Sequence, residues 1–260
     1  MHLSIEPIPA FEDNYIWLLR STETEFCAVV DPGDAQPVIA RLQGDGLRLG
    51  AILITHHHGD HIGGLAELRQ TWPEAEVFGP EDRRITGLTR VVAEGDDVHL
   101  PDLEIDLEVL AVPGHTSTHI AYLGDDRLFC GDTLFAAGCG RVFDGTFEQL
   151  ADSLQRISSL PSQTRCYCAH EYTLANLGFA RWVEPQSGAV AAAIAAAEQL
   201  REQGRPTVPT TLADELAVNP FLRTSEPAVM AAAERFASRP LAGTTQVFSA
   251  LRRWKDERYD

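Results

Sequence analysis

Apolar residues along the first 170 positions fall into short runs separated by glycine and proline. Such runs are typical of β-strands, and they predict strands in IWLL (16–19), FCAVVD (26–31), AILIT (51–55), LEIDLEVL (103–110), HIAYL (119–123), RLFCGD (127–132) and TRCYCAH (164–170). LEIDLEVL alternates apolar and polar residues, which indicates a half-buried strand. AILI is apolar throughout, which indicates burial on both faces.

Helical patterns interrupt these strands in PVIARLQ after Asp34, in IGGLAELRQTW after His61 and in TFEQLADSLQRISSL from Thr146. Strands that alternate with helices predict an α/β layered domain. From about residue 173 the pattern is helical only, in four segments whose predicted N-caps are Ser187, Thr211, Ser225 and Thr244. We therefore predict one domain over residues 1–172 and a helical domain over residues 173–260.

Composition narrows the class of protein. The chain of 260 residues is 44% hydrophobic and 23% charged, as expected for a globular protein, and no apolar run is long enough to span a membrane. The start has no basic segment followed by an apolar one, and the five scattered cysteines form no disulfide framework, so we expect a cytoplasmic protein. The net charge of −17 argues against nucleic acid or an anionic membrane as partner. We expect a monomer that acts on a small molecule.

Histidine and aspartate residues cluster where predicted strands end. AILIT runs into THHHGDH, LEVLAV into PGHTSTH, RLFC into GDT and TRCYC into AHEY, and THHHGDH alone holds four of the nine histidines. Strand ends are where ligands converge in α/β sheets. His56 and His58 alternate along an extended segment, so their side chains point to the same side and can share one metal ion.

Further candidate ligands fill two sites. Asp60 and His61 follow a turn marked by Gly59 and can face a second ion, His115 and His170 can each complete one site, and Asp132 can bridge both. Alone, His115 could equally be a packing residue and Asp132 a turn cap. Four coincidences at strand ends favour metal binding, and a nitrogen and oxygen ligand set without thiolate suits Zn²⁺, Fe or Mn²⁺. His57 points the opposite way and is predicted to support the ligands, and His119 to lie at a strand edge.

These motifs resemble those of a known enzyme family. THHHGDH, PGHTSTH, GDTLF and AHEYT resemble the ligand motifs of the metallo-β-lactamase fold, and FEDNYIWLL, DPGDA, GDTLFAAGCGR, AHEYTLANLGFA, VNPFLR and LRRWKD resemble glyoxalase II, the hydroxyacylglutathione hydrolases. The resemblance covers nearly the whole chain. It implies an α/β fold, an αββα sandwich followed by a smaller C-terminal helical domain that contributes to glutathione binding.

The resemblance also implies the chemistry. It implies two divalent metal ions, Zn²⁺ in first place and Fe or Mn as alternatives, one bound by His56, His58, His115 and Asp132 and the other by Asp60, His61, His170 and Asp132. A bridging hydroxide between Asp60 and Asp132 would attack the thioester of S-(2-hydroxyacyl)glutathione, typically S-D-lactoylglutathione. The products would be glutathione and a 2-hydroxy acid, D-lactate, in the second step of methylglyoxal detoxification.

The basic segment RRWK (252–255) is predicted to recognise the substrate. From composition alone it would be a solvated helix end whose cations favour the helix dipole. The resemblance instead implies that Arg252 and Lys255 bind the glycine carboxylate of glutathione, helped by Arg141, Phe143 and Tyr172. Phe143 departs from the family, which often has a tyrosine there, so we expect weaker or differently anchored glutathione binding.

Three other functions compete with this hypothesis. A glutathione persulfide dioxygenase of the same fold would use a single iron, and it is expected to lack the long helical domain that ends in RRWK. A catalytically inactive metal-binding protein is the non-enzymatic alternative, but all seven predicted ligands are present. A ribonuclease of this fold is disfavoured by the net charge.

Overall fold

The computed structural model describes residues 3–259. The chain packs as two compact units, one made of the residues up to Ala111 together with Thr118–Gly131, and the other of Val112–Ser117 together with the residues from Asp132 onward. This division follows spatial packing, whereas the predicted boundary near residue 173 follows the change of pattern along the chain and stays a prediction. No helix among residues 3–259 is long and apolar enough to cross a bilayer.

In its described part, from residue 3 onward, the first unit contains ten strands and three α-helices. In chain order these are β1 (Leu3–Ala10), β2 (Asn14–Ser21), β3 (Phe26–Val30), α1 (Ala35–Asp45), β4 (Arg48–Leu53), α2 (Gly59–Ile62), α3 (Leu65–Thr71), β5 (Glu76–Gly79), β6 (Arg90–Val91), β7 (Asp97–Leu100), β8 (Ile105–Ala111), β9 (Ile120–Gly124) and β10 (Arg127–Gly131). A short 3-10 helix, Pro101–Leu103, precedes β8. The strands β1, β5, β6 and β7 were not predicted.

The order of strands explains where the histidine cluster lies. One sheet has the order β1-β2-β3-β4-β5-β6, in which β3, β4, β5 and β6 are parallel. Parallel strands end at the same edge of a sheet, so β3 and β4 present their following residues side by side. The prediction that AILI is a buried strand is confirmed, because Ile52 and Leu53 have no exposed surface and Ile54 continues the run.

Strands β7 to β10 are antiparallel to their neighbours in consecutive order. Exposed and buried residues alternate along the first part of β8, which confirms that this strand is half buried. On the six-stranded sheet, apolar residues of β1 to β5 pack against those of α1 and α3 to form the core, with Leu18, Val38, Leu42 and Leu68 fully buried. This core is the rigid support for the loops after β3 and β4.

The second unit is mainly helical. Its elements are β11 (Leu134–Phe135), β12 (Gly138–Cys139), α4 (Phe147–Ser158), β13 (Arg165–Cys168), α5 (Thr173–Val183), α6 (Gly188–Glu202), β14 (Thr210–Thr211), α7 (Leu212–Val218), α8 (Pro227–Ala237) and α9 (Thr244–Arg258). β11 pairs with β12 and β13 with β14, both antiparallel. Helix α5 was not predicted as a separate element.

Helix starts in this unit follow capping chemistry, with two exceptions to the predictions. The Ser187 and Thr211 side chains accept backbone N–H groups of α6 and α7, so both predicted N-caps are confirmed. The prediction of Ser225 as an N-cap is wrong, because α8 begins after Glu226 with a proline as its first residue. Thr244 is also wrong, because it is the first residue of α9 and Gly243 precedes it in an extended left-handed conformation with φ of 82°.

Candidate active site

The first unit places His56 and His58 directly after β4. His56 is fully buried, and its Nε2 lies 3.0 Å from Nδ1 of His58. The Thr55 hydroxyl lies 3.0 Å from Nδ1 of His56, so this nitrogen has its own polar partner and Nε2 is the one that faces His58. The structure therefore brings these two predicted ligands together, and neutral imidazole nitrogens that face one another can share a cation.

Asp31 directly follows β3 and orients Thr55 and His61 through both of its carboxylate oxygens. Oδ1 accepts the backbone N–H of Thr55 at 2.8 Å, and Oδ2 accepts the Thr55 hydroxyl at 2.7 Å and lies 3.0 Å from Nδ1 of His61. Because Nδ1 of His61 donates to the carboxylate, Nε2 carries the lone pair of that ring and can bind a metal. Sequence reasoning missed this role, although a carboxylate directly after a buried strand was a usable signal.

Asp60 and His61 lie together in α2. Oδ2 of Asp60 is 3.4 Å from Nε2 of His61, and the Asn14 side chain donates to the same oxygen at 3.1 Å. The close backbone approach occurs at Gly33, where a Cβ would lie 1.8 Å from the Asp60 carbonyl oxygen. Gly59, predicted to mark a turn, is instead the first residue of α2, and a Cβ on it would meet no atom within 4 Å.

Two neighbouring histidines surround His56 in different ways. Nδ1 of His57 lies 3.5 Å from Oδ2 of Asp82, and its ring stands at 82° to that of His56. His119 stacks on His56 with ring centroids 4.6 Å apart and an angle of 19° between the planes. His57 thus faces a carboxylate and His119 supports a predicted ligand by ring contact.

In the second unit, Asp132 lies between two imidazoles. Its Oδ2 is 3.4 Å from Nε2 of His115, its Oδ1 is 3.4 Å from Nε2 of His170, and all three residues are buried. Nδ1 of His115 lies 2.7 Å from the Arg141 carbonyl oxygen and donates to it, so Nε2 carries the lone pair. A carboxylate with a ring nitrogen facing each oxygen has the arrangement of a bridging ligand.

Backbone and aromatic groups hold these side chains in place. A Cβ at Gly140 would lie 2.1 Å from the Asp132 carbonyl oxygen, so only glycine allows the chain to pass there. The His170 ring stacks on Tyr172 with centroids 4.7 Å apart and planes 5° from parallel. Phe135 packs edge-on against both rings. The second unit therefore restricts the orientation of the His170 imidazole by packing on two sides.

The five predicted substrate-binding residues all belong to the second unit, and exposure divides them into two groups. Phe143 is 65% exposed and its ring stands at 85° to that of His115, and Tyr172 and Arg141 are also exposed. Arg252 and Lys255 are buried. The exposed group is therefore open to a ligand, whereas the buried pair lies beneath the surface of this unit.

Arg252 is held by groups that sequence reasoning did not identify. Its Nη1 donates to the Cys139 carbonyl oxygen at 2.9 Å, its Nη2 donates to Oδ1 of Asp256 at 2.9 Å, and its guanidinium carbon lies 5.3 Å from the centroid of the Phe221 ring. Oδ1 of Asp256 also lies 3.7 Å from Nε of Arg141. Oδ1 of Asp256 therefore faces both a buried cation, Arg252, and an exposed one, Arg141.

The thiols of the chain do not join the donor set. All five cysteines lie among residues 3–259, are buried and form no disulfide. Burial raises the pKa of Cys139 to about 11 and the pKa of Cys168 to about 12, so neither thiol ionises near neutral pH. Cys166 and Cys168 lie in β13, as predicted for buried strand residues. The remaining donors, buried imidazoles with oriented Nδ1 and carboxylates, fit a zinc, iron or manganese ion.

Comparison with known proteins identifies the family of each part of the chain. A model of the metallo-β-lactamase superfamily matches residues 10–170, and a model of the hydroxyacylglutathione hydrolase C-terminus matches residues 171–258. Among solved structures, ETHE1 from Myxococcus xanthus covers 100% of the chain and 93% of its own length, with a TM-score of 0.68 and 25% identity. TTHA1623, solved in a di-iron-bound form, covers 64% of the chain and 91% of its own, with a TM-score of 0.55 and 28% identity.

Relatives of known name match the chain over nearly its full length. A hydroxyacylglutathione hydrolase from Alkalilimnicola ehrlichii is 53% identical over 97% of this chain and 98% of its own. One from Xanthomonas euvesicatoria is 51% identical over 96% of this chain and 97% of its own. The predicted fold, a metallo-β-lactamase domain followed by a helical domain, is thereby confirmed. The chain belongs to the hydroxyacylglutathione hydrolase family of the metallo-β-lactamase superfamily.

Proposed function

We propose that the chain hydrolyses the thioester bond of S-(2-hydroxyacyl)glutathiones, typically S-D-lactoylglutathione, to glutathione and a 2-hydroxy acid, D-lactate. This is the second step of methylglyoxal detoxification. The observation that carries the proposal is the match to hydroxyacylglutathione hydrolases of about 50% identity along the whole chain, including the helical end that holds Arg252 and Lys255. A shared fold alone would leave the substrate open, because one fold serves many reactions.

The proposal includes two divalent metal ions, Zn²⁺ or alternatively Fe or Mn. One would be held by His56, His58, His115 and Asp132, and the other by Asp60, His61, His170 and Asp132. Support comes from each unit separately: Asp31 directs Nδ1 of His61 away from the ligand side, the Arg141 carbonyl does the same for His115, and Asp132 faces an imidazole with each oxygen. Bound divalent ions supply Lewis acidity, which lowers the pKa of water to about 7 and polarises a carbonyl oxygen.

The residues of the chain contribute orientation and recognition. Asp31 and the Arg141 carbonyl keep the imidazoles in one tautomer, so no rearrangement is needed during the reaction. Arg141 is exposed and can bind a substrate carboxylate through two parallel hydrogen bonds, while the Phe143 ring offers an apolar face beside it. Arg252 and Lys255 would complete the binding of the glycine carboxylate of glutathione.

A thioester suits a site without a dedicated general acid. The conjugate thiol of the leaving group has a pKa near 8.5, so the sulfur can depart as the thiolate at neutral pH. An amide nitrogen would need a proton at this step. The site as proposed therefore favours thioesters over amides.

One experiment distinguishes this function from its alternatives. The purified protein is analysed for metal per chain and assayed for thiol release from S-D-lactoylglutathione. We expect two ions per chain and rapid thiol release. The matched pair His170→Ala and His99→Ala separates a predicted ligand from an exposed histidine that pairs with Asp106. Only the first should lose metal and activity.

Other results would overturn the proposal. One iron per chain with oxygen uptake would indicate a persulfide dioxygenase, which the family model at residues 171–258 disfavours. Metal binding without any thiol release would indicate an inactive metal-binding protein. The cytoplasmic location and the monomeric state stay predictions. Fractionation of cells that contain the protein tests the location, and light scattering on the purified protein tests the oligomeric state.

A further inference from the structure

A short buried hairpin joins two predicted functional residues of the second unit. Strands β11 and β12 pair Leu134 with Cys139 and Phe135 with Gly138, and the intervening Ala137 has a left-handed φ of 55°. Asp132 lies two positions before the hairpin, and Arg141 lies two positions after it. The position of the hairpin therefore determines the separation between a predicted metal ligand and a predicted substrate-binding cation.

The hairpin is too short to hold itself in place. Each strand has two residues, so few ladder hydrogen bonds form, and its buried backbone groups need other partners. In addition, Ala137 is buried in an apolar cluster with Leu177 of α5 and Val218 of α7, which offers no hydrogen-bond partner to the polar backbone groups of the tip. Contacts from elsewhere must then fix the conformation of the tip, including a residue whose left-handed backbone is unfavourable for alanine.

Polar side chains of two helices supply these contacts. Glu215 of α7 accepts the backbone N–H of Ala137 through Oε2 at 2.8 Å. Asn219, directly after α7, donates to the Gly138 carbonyl oxygen at 2.9 Å and to Oε2 of Glu215 at 2.9 Å. Asn176 of α5 donates to the Ala136 carbonyl oxygen at 3.0 Å. Each residue of the hairpin tip thus has a hydrogen bond from a helix.

Glu215 is the centre of this network, and it is 99% buried. Its Oε1 accepts the Thr210 hydroxyl at 2.8 Å, while Oε2 receives both Ala137 and Asn219. Burial raises the pKa of Glu215 to about 7. The neutral acid can keep Oε2 as acceptor and donate from Oε1 to Thr210, because a hydroxyl both donates and accepts. A glutamine can make the same set of bonds, whereas an apolar side chain cannot.

We propose that Glu215 is a positioning residue, which holds the β11–β12 hairpin through Ala137 and thereby sets the geometry of Asp132 and Arg141. Glu215 contacts neither of them and acts through the backbone of the hairpin. The effect of Glu215 on catalysis rests on the proposed function, whereas its hydrogen bonding to the hairpin does not. A deeply buried carboxyl that needs three hydrogen bonds is costly to keep, and the specific placement of a functional loop is a reason for its presence.

The experiment compares three variants of the full-length, metal-loaded protein. Glu215→Met removes the acceptors but fills similar space, Glu215→Gln keeps the hydrogen bonds, and Val229→Ala in the buried face of α8 reports general destabilisation. Amide hydrogen exchange of residues 134–140 and steady-state hydrolysis of S-D-lactoylglutathione are measured at one pH. A second anchor variant, Asn219→Ala, serves if Glu215→Met does not fold.

We expect Glu215→Met to increase the exchange rate of the Ala137 amide about tenfold and to lower kcat/KM about tenfold, as for loss of one buried hydrogen bond. In Glu215→Gln, the exchange rate of the Ala137 amide and kcat/KM should both stay within about twofold of the parent values. Val229→Ala should not change the exchange of Ala137 more than that of other buried amides, and it should leave kcat/KM unchanged. Unchanged exchange at Ala137 in Glu215→Met would refute the anchor. If Glu215→Met showed faster exchange at Ala137 but the same kcat/KM as Val229→Ala, the positioning role would be refuted. If Glu215→Met showed faster exchange and even the parent protein did not hydrolyse the substrate, only the proposed function would be refuted.

Discussion

Replacing Arg252 by methionine tests whether this buried residue stabilises the fold of the second unit as well as binding the substrate. The side chain is fully buried in α9, where it donates to the Cys139 carbonyl oxygen and to Asp256 and lies over the Phe221 ring. Methionine keeps much of the apolar volume but removes the charge and every donor. The carbonyl then loses its donor, and the Asp256 carboxylate keeps only the longer contact of 3.7 Å to Arg141.

The size of the effect follows from these contacts. Breaking a buried ion pair by removing one partner costs about 3–5 kcal/mol, and a hydrogen bond to a charged group contributes about 1.5–3 kcal/mol. Asp256 retains partial exposure, with 31% of its side chain accessible, so water compensates part of the loss. We therefore expect the free energy of unfolding to fall by about 3 kcal/mol, and the melting temperature to fall by roughly 6–12 °C for a chain of this size.

Arg253→Met on the same helix is the matched control. Arg253 is exposed, with its guanidinium carbon 5.3 Å from the centroid of the Phe147 ring, so its loss should cost no more than about 1 kcal/mol. Urea unfolding gives the stability of both variants, and steady-state kinetics with S-D-lactoylglutathione gives KM and kcat. We expect Arg252→Met to lose stability and to raise KM. A raised KM with the same stability as Arg253→Met would refute the supporting role.

Three further predictions concern other residues. Phe143→Tyr should lower KM for S-D-lactoylglutathione, because a hydroxyl on this exposed ring can add a hydrogen bond, and an unchanged or higher KM in steady-state kinetics would show that the hydroxyl is irrelevant here. Asp31→Ala should lower metal affinity about 10–100-fold in competition with a chelator, whereas Asp31→Asn should lose less. Between pH 4.5 and about 7 the folded protein keeps a proton on Glu215 that the unfolded chain has released, so this residue makes unfolding free energy fall as pH rises through that window. Urea unfolding measures the free energy of unfolding of Glu215→Gln and of the parent protein at pH 5 and at pH 8. From pH 5 to pH 8 this free energy should fall less in Glu215→Gln than in the parent protein. An equal fall would contradict the raised pKa of Glu215.

Local pattern predicted most elements of regular structure well. The apolar run AILI became the central parallel strand β4, and the alternating LEIDLEVL became the half-buried β8. The edge strands β1 and β6 were missed, because partial exposure weakens the apolar signal on which strand prediction depends. Ser225 and Thr244 failed as N-caps because Pro227 and Gly243 decided where α8 and α9 begin.

The resemblance to glyoxalase II, stated from motifs alone, is confirmed at the level of family and fold by relatives and family models that span the chain. The roles of individual residues are not tested by these comparisons. The structure brings His56 and His58 together in one unit, and Asp132 between His115 and His170 in the other. Their assignment to two ions, and the identity of the metal, stay predictions.

The sequence by itself determined what depends on spacing: the periodicity of strands and helices, the pairing of His56 with His58, and the family. Only the tertiary structure decided which polar groups hold these residues in place. Arg252 meets a carbonyl 113 positions away, His61 meets Asp31 thirty positions away, and Glu215 meets Ala137 78 positions away. Burial and hydrogen bonding of this kind depend on partners that only folding brings together, so a pattern along the chain cannot contain them.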